Sequence, residues 1–230
     1  MLYAVDEPGE HIPVLRLALK GLAFDKGPVL GPIELDLAAG ETLALVGPSG
    51  IGKTTLLRIM AGLETGFEGQ LEAPGRCSVV FQEPTLLPWR TLADNLRVTA
   101  GISREAAIDA LNEVGLAGRW QDFPGQLSLG QQRRLSLARA FAAKPDLLLM
   151  DEPFVSLDPD LVGEMMTLFQ TLRRTRQVAT VLVTHVMSEA KELADRIVTL
   201  GGHPARILET RQKSGAYFQL SASGVTSSGL

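Results

Sequence analysis

The sequence predicts an α/β fold, and three observations carry that prediction. Two runs, Leu147–Met150 and Val178–Thr184, are continuously apolar or β-branched, the pattern of strands buried on both faces of a parallel sheet. Between them Asp158-Pro159 opens a helical stretch reaching about Arg176, with Asp as N-cap and Pro at the first helical position. A glycine-rich loop at 47–52 joins one strand-like stretch to one helix-like stretch. Strands alternating with helices in this way build α/β cores.

The remaining elements follow from periodicity and punctuation. Val14–Leu19, Ile33–Leu37 and Thr42–Val46 read as strands separated by Gly27-Pro28, Gly31-Pro32 and Ala39-Gly40. Thr54–Leu63 reads as a helix stopped at Gly62, and Ser78–Phe81 as a short strand leading into Gln82. From Leu92 to Arg119 the period changes. Ser103 can cap a helix whose Ala107, Leu111 and Val114 share a face and whose end is marked by Gly115. The all-helical insertion is placed near 92–140. Ser214–Leu230, rich in Ser, Gly and Ala, is expected to be a flexible tail.

Composition excludes several function classes. A chain of 230 residues can bury a proper core without disulfides. Its formal net charge of -4 offers no broad electrostatic grip on nucleic acid, so no nucleic-acid partner is expected. The single cysteine, Cys77, permits no intrachain disulfide, suits a reducing compartment, and reads as an apolar filler on a strand. No segment approaches the roughly 20 apolar residues of a membrane-spanning helix. Asp6, Glu7 and Glu10 stand where a secretory signal would carry basic residues. The expectation is a soluble chain. If it serves a membrane process, another chain crosses the bilayer.

Two constellations carry chemistry. Gly47-Pro48-Ser49-Gly50-Ile51-Gly52-Lys53-Thr54 matches the phosphate-loop pattern GxxxxGK(S/T), after a strand and before a helix. The glycines let successive N–H groups point at an anion, and the helix N-terminus adds its positive dipole end. Lys53 is the candidate to neutralise β- and γ-phosphates, Thr54 to offer its hydroxyl to Mg²⁺, and Thr55 to join the nucleotide contacts. The bland alternative is a Gly-rich turn capping a helix. The second constellation is Asp151-Glu152, closing the Leu147–Met150 strand. Alone, such a pair is usually a turn. Beside a phosphate loop, Asp151 suits the Mg²⁺ shell and Glu152 a proton acceptor for attacking water.

Leu127-Ser128-Leu129-Gly130-Gln131, followed by Gln132-Arg133-Arg134 and Ala138-Arg139-Ala140, resembles the LSGGQ signature region of ABC ATPases. Gln82 resembles that family's Q-loop, Ser156-Leu157-Asp158 its D-loop, and His185 its switch histidine. Phe24 matches by spacing the aromatic that stacks on adenine. These motifs stand in family order across about residues 14 to 210. Ser128 and Gln131 also read as a capping box, S-x-x-Q, which starts a helix whatever its function. Gln82, Phe24, His185 and Asp158 each have a structural alternative: a solvated strand end, core, a strand end and an N-cap. Leu129 departs from the pattern, standing where the family has glycine. A leucine there does not readily take φ > 0 and sets a Cβ near the phosphate.

The resemblance implies a P-loop NTPase (RecA-like) core with an N-terminal antiparallel β subdomain and an inserted α-helical signature subdomain, about 86–140. The ATPase domain is then 1–213, with 214–230 as tail. It further implies two cassettes sandwiching two ATP molecules. Lys53, Thr54, Gln82 and Asp151 act in cis, and Ser128 and Gly130 in trans. Glu152 is the implied general base, and His185 contacts the γ-phosphate. Glu152-Pro153-Phe154 and Phe123-Pro124-Gly125-Gln126 are similar to importer cassettes, exporters more often showing DEAT. Leu86-Leu87-Pro88-Trp89-Arg90 and Leu200–Ile207 resemble the nitrate/sulfonate/taurine importer branch. The implied partners are transmembrane permease subunits, a second cassette and a substrate-binding protein, at the cytoplasmic face of a bacterial inner membrane. The tail is too short for the regulatory β-domain of some importer cassettes. An exporter subunit of lipid or drug type, or a non-transport ABC ATPase, is the alternative.

Overall fold

The computed structural model describes residues 13–215 and 217–220. The acidic N-terminal residues and 221–230 of the expected tail lie outside them. The strands are β1 (Leu15–Phe24), β2 (Gly27–Leu30), β3 (Ile33–Leu37), β4 (Thr42–Val46), β5 (Glu68–Glu72), β6 (Cys77–Val80), β7 (Leu147–Asp151), β8 (Ala179–Thr184), β9 (Arg196–Gly201), β10 (Arg206–Ser214) and β11 (Tyr217–Leu220). The helices are α1 (Lys53–Met60), α2 (Leu92–Ala100), α3 (Arg104–Glu113), α4 (Leu129–Ala142), α5 (Pro159–Arg174) and α6 (Met187–Leu193).

Among the described residues these strands form two sheets. The larger has the order β11-β10-β9-β4-β8-β7-β6. From β9 to β6 every pairing is parallel, while β10 and β11 add antiparallel arms. Four residues of the expected tail, Tyr217–Leu220, are therefore strand, paired antiparallel with Arg211–Ser214. The smaller sheet is antiparallel, with β1 between β3 and β5 and bonded at its far end to β2. Here the alternation is clean. Leu15, Leu17 and Leu19 are buried while Arg16, Ala18 and Lys20 are exposed.

Strands β4, β7 and β8 are buried along their whole length. Their continuous apolar runs have a direct cause: the sheet has a core on each side. Leu147, Leu149, Val181 and Val183 pack with the antiparallel sheet and α1. Leu148, Met150 and Leu182 pack with the opposite core, built from α2, α3, α4 and α5. Successive side chains on a strand point to opposite faces, so both parities must be apolar. The helical insertion sits on that second face, anchored by Leu135, Leu137 and Phe141 of α4.

Candidate functional site

The parallel register brings four strand ends to one edge. Val46 pairs with Thr184, Asp151 with Val183, and Val80 with Met150. The phosphate loop, His185 and Glu152 follow those ends directly, and Gln82 follows β6 after Phe81. Ligands of open α/β sheets collect at this carboxyl edge.

The loop is built by close approach. A Cβ at Gly47 would lie 2.7 Å from the Leu200 carbonyl oxygen, so the backbone of β9 excludes any side chain there. Gly52 has φ +107 and would set a Cβ 2.7 Å from Leu30 Cδ2. α1 then starts at Lys53, one residue earlier than its pattern predicts. Lys53 is 4% exposed and donates to the carbonyls of Gly47 and Pro48, each at 2.9 Å. Its ammonium also lies 3.8 Å from Glu152 Oε1.

Glu152 is held from three directions. Its backbone N–H donates to Val183 O at 2.9 Å. Its Oε2 lies 3.2 Å from His185 Nδ1. Its φ is +46, a left-handed conformation that costs a non-glycine residue about 1–3 kcal/mol and concentrates at functional sites. Lys53, Glu152 and His185 thus form one chain of polar contacts across three strand ends. Beside it, Thr54 Oγ1 donates to Asp151 Oδ1 at 3.1 Å. Burial pushes the Asp151 carboxyl above its usual range, with the Thr54 hydrogen bond opposing. Among the described residues no three His, Cys, Asp or Glu side chains gather as a metal cage. One hydroxyl and one carboxylate are an oxygen set suited to Mg²⁺, which takes one or two protein carboxylates and completes its shell from phosphate and water.

The other predicted residues lie elsewhere. Phe24, at the end of β1, is 47% exposed, so it is not core. Ser128 and Gln131 form the predicted capping box, with Gln131 N–H donating to Ser128 Oγ at 3.3 Å and Ser128 N–H to Gln131 Oε1 at 3.1 Å. These bonds, and that from Arg119 to Gln131 at 2.8 Å, stay within the helical region. Asp158 caps α5 through Leu161 N–H at 3.0 Å. Leu161 explains Gly130 as well: a Cβ at Gly130 would lie 2.5 Å from Leu161 Cδ2. Leu129 needs no positive φ; it is the first residue of α4, 44% exposed. Trp89 is 70% exposed, on the loop after Gln82.

Two features escaped the sequence. Glu189, in the first turn of α6, is 8% exposed and accepts a 2.5 Å bond from Thr184 Oγ1, which itself accepts from Val186 N–H at 3.0 Å. That clamp brackets His185. With Glu152 and His185 it lines a cavity of about 220 Å³. Arg133 is also buried, its guanidinium resting on the carbonyls of Phe81 and Val155. An acidic residue near a helix start reads as an ordinary cap, and a burial partner fifty residues away leaves no local signal.

The protein-family profile described as ABC transporter matches residues 30–155, more than half of the chain. The chain belongs to the ABC transporter family. This cassette is 46% identical over 199 residues to "Aliphatic sulfonates import ATP-binding protein SsuB 1" of Pseudomonas fluorescens, covering 83% of the chain and 77% of that protein. It is 48% identical over 200 residues to an SsuB 2 of Rhizobium johnstonii, covering 84% and 80%. Among solved structures, the dimeric post-hydrolysis state of the ATP-binding cassette MJ0796, bound to ADP and Pi, superposes with a TM-score of 0.75 at 26% identity, over 87% of this chain and 99% of that one. The predicted RecA-like core, antiparallel β subdomain and helical insertion are those of ABC ATPase domains. The cassette is an ATP-hydrolysing subunit of the importing branch, as its DEPF and FPGQ segments suggested.

Proposed function

We propose that two copies of this cassette close on two MgATP molecules and that their hydrolysis drives uptake of a small sulfonate-class anion through separate permease subunits. The contact chain Lys53–Glu152–His185 at the carboxyl edge carries this reading. Lys53 exchanges its two loop carbonyls for the β- and γ-phosphates, and the loop N–H groups of Gly47 and of residues 49 to 55 complete the cradle, Pro48 having none. Thr54, Asp151 and Gln82 hold Mg²⁺, which when bound spreads the charge on the transferring phosphoryl group. Glu152 takes the proton of the attacking water. His185, steered through Nδ1 by Glu152, turns its other face to the γ-phosphate. Phe24, exposed at the end of β1, stacks on the adenine.

Ser128, Gly130 and Gln131 serve the ATP of the opposite copy, with Asp158 at the seam. Their bonding within the helical region, away from Lys53 of the same chain, supports action in trans. So does the dimeric state of the similar cassette MJ0796. Among the described residues no helix is long and apolar enough to cross a membrane. A separate permease and a peripheral place at the cytoplasmic face of the inner membrane follow the relatives named as import ATP-binding proteins. The exposed Trp89 loop is the permease-facing surface. The solute class follows the relatives named for aliphatic sulfonate import, and a substrate-binding protein delivers the solute.

Glu152→Gln separates the steps. It is expected to bind ATP, to form a lasting dimer by size exclusion, and to release phosphate about 100- to 10,000-fold more slowly, because the base is gone and the cradle intact. Turnover at the parent rate would refute the assignment. In vesicles carrying the permease, alkanesulfonate uptake should require both ATP and the binding protein.

A further inference from the structure

Helix α4 presents a polar stripe to the segment that carries Gln82. Residues 133, 136 and 139 stand three apart and so share one face. Ser136 Oγ donates to Pro84 O at 2.8 Å. Arg139 donates through Nη1 to Thr85 O at 2.8 Å and through Nη2 to Thr85 Oγ1 at 3.0 Å. Arg133 reaches Phe81 O and Val155 O, each at 3.4 Å. Those two carbonyls immediately precede Gln82 and Ser156.

Arg133 is 5% exposed, and its Nε has no hydrogen-bond partner among the described residues. Burying a guanidinium against neutral carbonyls is costly, and a helix that needed only packing would place an apolar residue there. The next stretch of chain is tied to the same layer. Asn95 of α2, fully buried, accepts from Leu87 N–H at 2.8 Å and donates to the carbonyls of Leu87, Arg90 and Thr91. Segment 81–91 is thus fastened by side chains to α2 and α4, although its start continues strand β6 of the sheet.

We propose that Arg133, Ser136 and Arg139 are positioning residues forming a strap that makes the Gln82 segment and the signature end of α4 one rigid body. A push on the loop bearing Trp89 is then delivered to Ser128 and Gly130, and Arg133 carries it on to the Ser156-Leu157-Asp158 turn. The inference rests on the functions proposed above for Gln82 and the signature. It adds the part that keeps them in step.

The test uses the purified full chain, with ATP affinity and steady-state phosphate release measured for the parent, Ser136→Ala/Arg139→Ala, Arg139→Lys, Gln82→Ala and the triple variant. The phosphate loop is untouched, so ATP Kd should stay within about twofold while kcat falls about ten- to hundredfold, the cost of a mispositioned group. Lysine at 139 can still donate to Thr85 O and should recover most of the loss. In the Gln82→Ala background, cutting the strap should cost less than about twofold more, because strap and Gln82 act as one unit. Parent-like kcat in the double variant, or losses that multiply with those of Gln82→Ala, would overturn the strap. If the double variant does not fold, Ser136→Ala and Arg139→Ala run the same cycle singly. A parent chain that binds ATP but never releases phosphate would sink the proposed function instead.

Discussion

At the scale of single residues, the site depends on a few backbone positions that tolerate no alternative. Gly52 combines φ +107 with a Cβ direction pointing 2.7 Å from Leu30 Cδ2. Gly52→Ala therefore meets both strain and overlap, and is expected to lose about 2–4 kcal/mol of stability from the two costs together. The loss should not be uniform. Gly52 immediately precedes Lys53, so relief of the strain displaces the ammonium from its carbonyl partners. Urea denaturation should give a lower midpoint, and ATP affinity should fall more steeply than stability alone explains. An alanine variant with parent-like midpoint and affinity would mean that the loop relaxes freely. Leu129 teaches the opposite lesson. Leu129 departs from the family pattern while Ser128 and Gly130 keep it, and α4 begins at Leu129 without a left-handed backbone.

At the scale of elements, α6 is fastened to β8 by a buried carboxyl. Burial holds Glu189 above the usual glutamate range; the Thr184 hydrogen bond and His185 oppose, and Glu152 reinforces the shift. An acid whose folded pKa exceeds its unfolded value binds more protons folded than unfolded between the two values. Stability then falls as pH rises through that window, and the whole penalty stands above it. Glu189→Gln keeps an acceptor for Thr184 without the charge. It should melt higher than the parent at pH 8, with the advantage shrinking toward pH 4.5. An advantage independent of pH would show that packing, not ionisation, separates the two proteins.

Why this clamp was not legible in the sequence while the phosphate loop was comes down to range. Gly47–Thr54 is one contiguous segment whose spacing encodes its own geometry. Ser103, Ser128 and Asp158 likewise announce their helices, because a cap is a bond across three residues. β5 escaped because its run Glu-Gly-Gln-Leu-Glu offers one apolar residue, Leu71, and so no alternation; its pairing with β1 defines it. β11 escaped because its neighbours look like a tail, and only the antiparallel partner β10 makes it strand. Arg133 and Glu189 belong with these: a charged residue on a helix reads as solvated until the chain that covers it is known.

At the scale of the whole molecule, one sheet divides two cores, and strands β7 and β8 each serve both. Leu149 of β7 packs toward the antiparallel sheet and α1, and Leu148, its neighbour, packs toward the helical layer. Both are 0% exposed. Truncating either to alanine should cost about 2–5 kcal/mol. Of the two tryptophans, Trp120 packs against the helical-side core while Trp89 is 70% exposed, so the fluorescence change on unfolding reports chiefly the surroundings of Trp120 while far-UV circular dichroism reports the entire fold. If the shared strands make the two cores one cooperative unit, Leu149→Ala must shift the fluorescence transition as far as the dichroism transition, although Leu149 belongs to the core on the other face. Coincident urea curves for Leu148→Ala and for Leu149→Ala are the expected outcome. A fluorescence midpoint left at the parent value in Leu149→Ala would mean that the helical layer unfolds on its own. The strap would then join Gln82 to a separately folding unit rather than to one end of a single rigid frame.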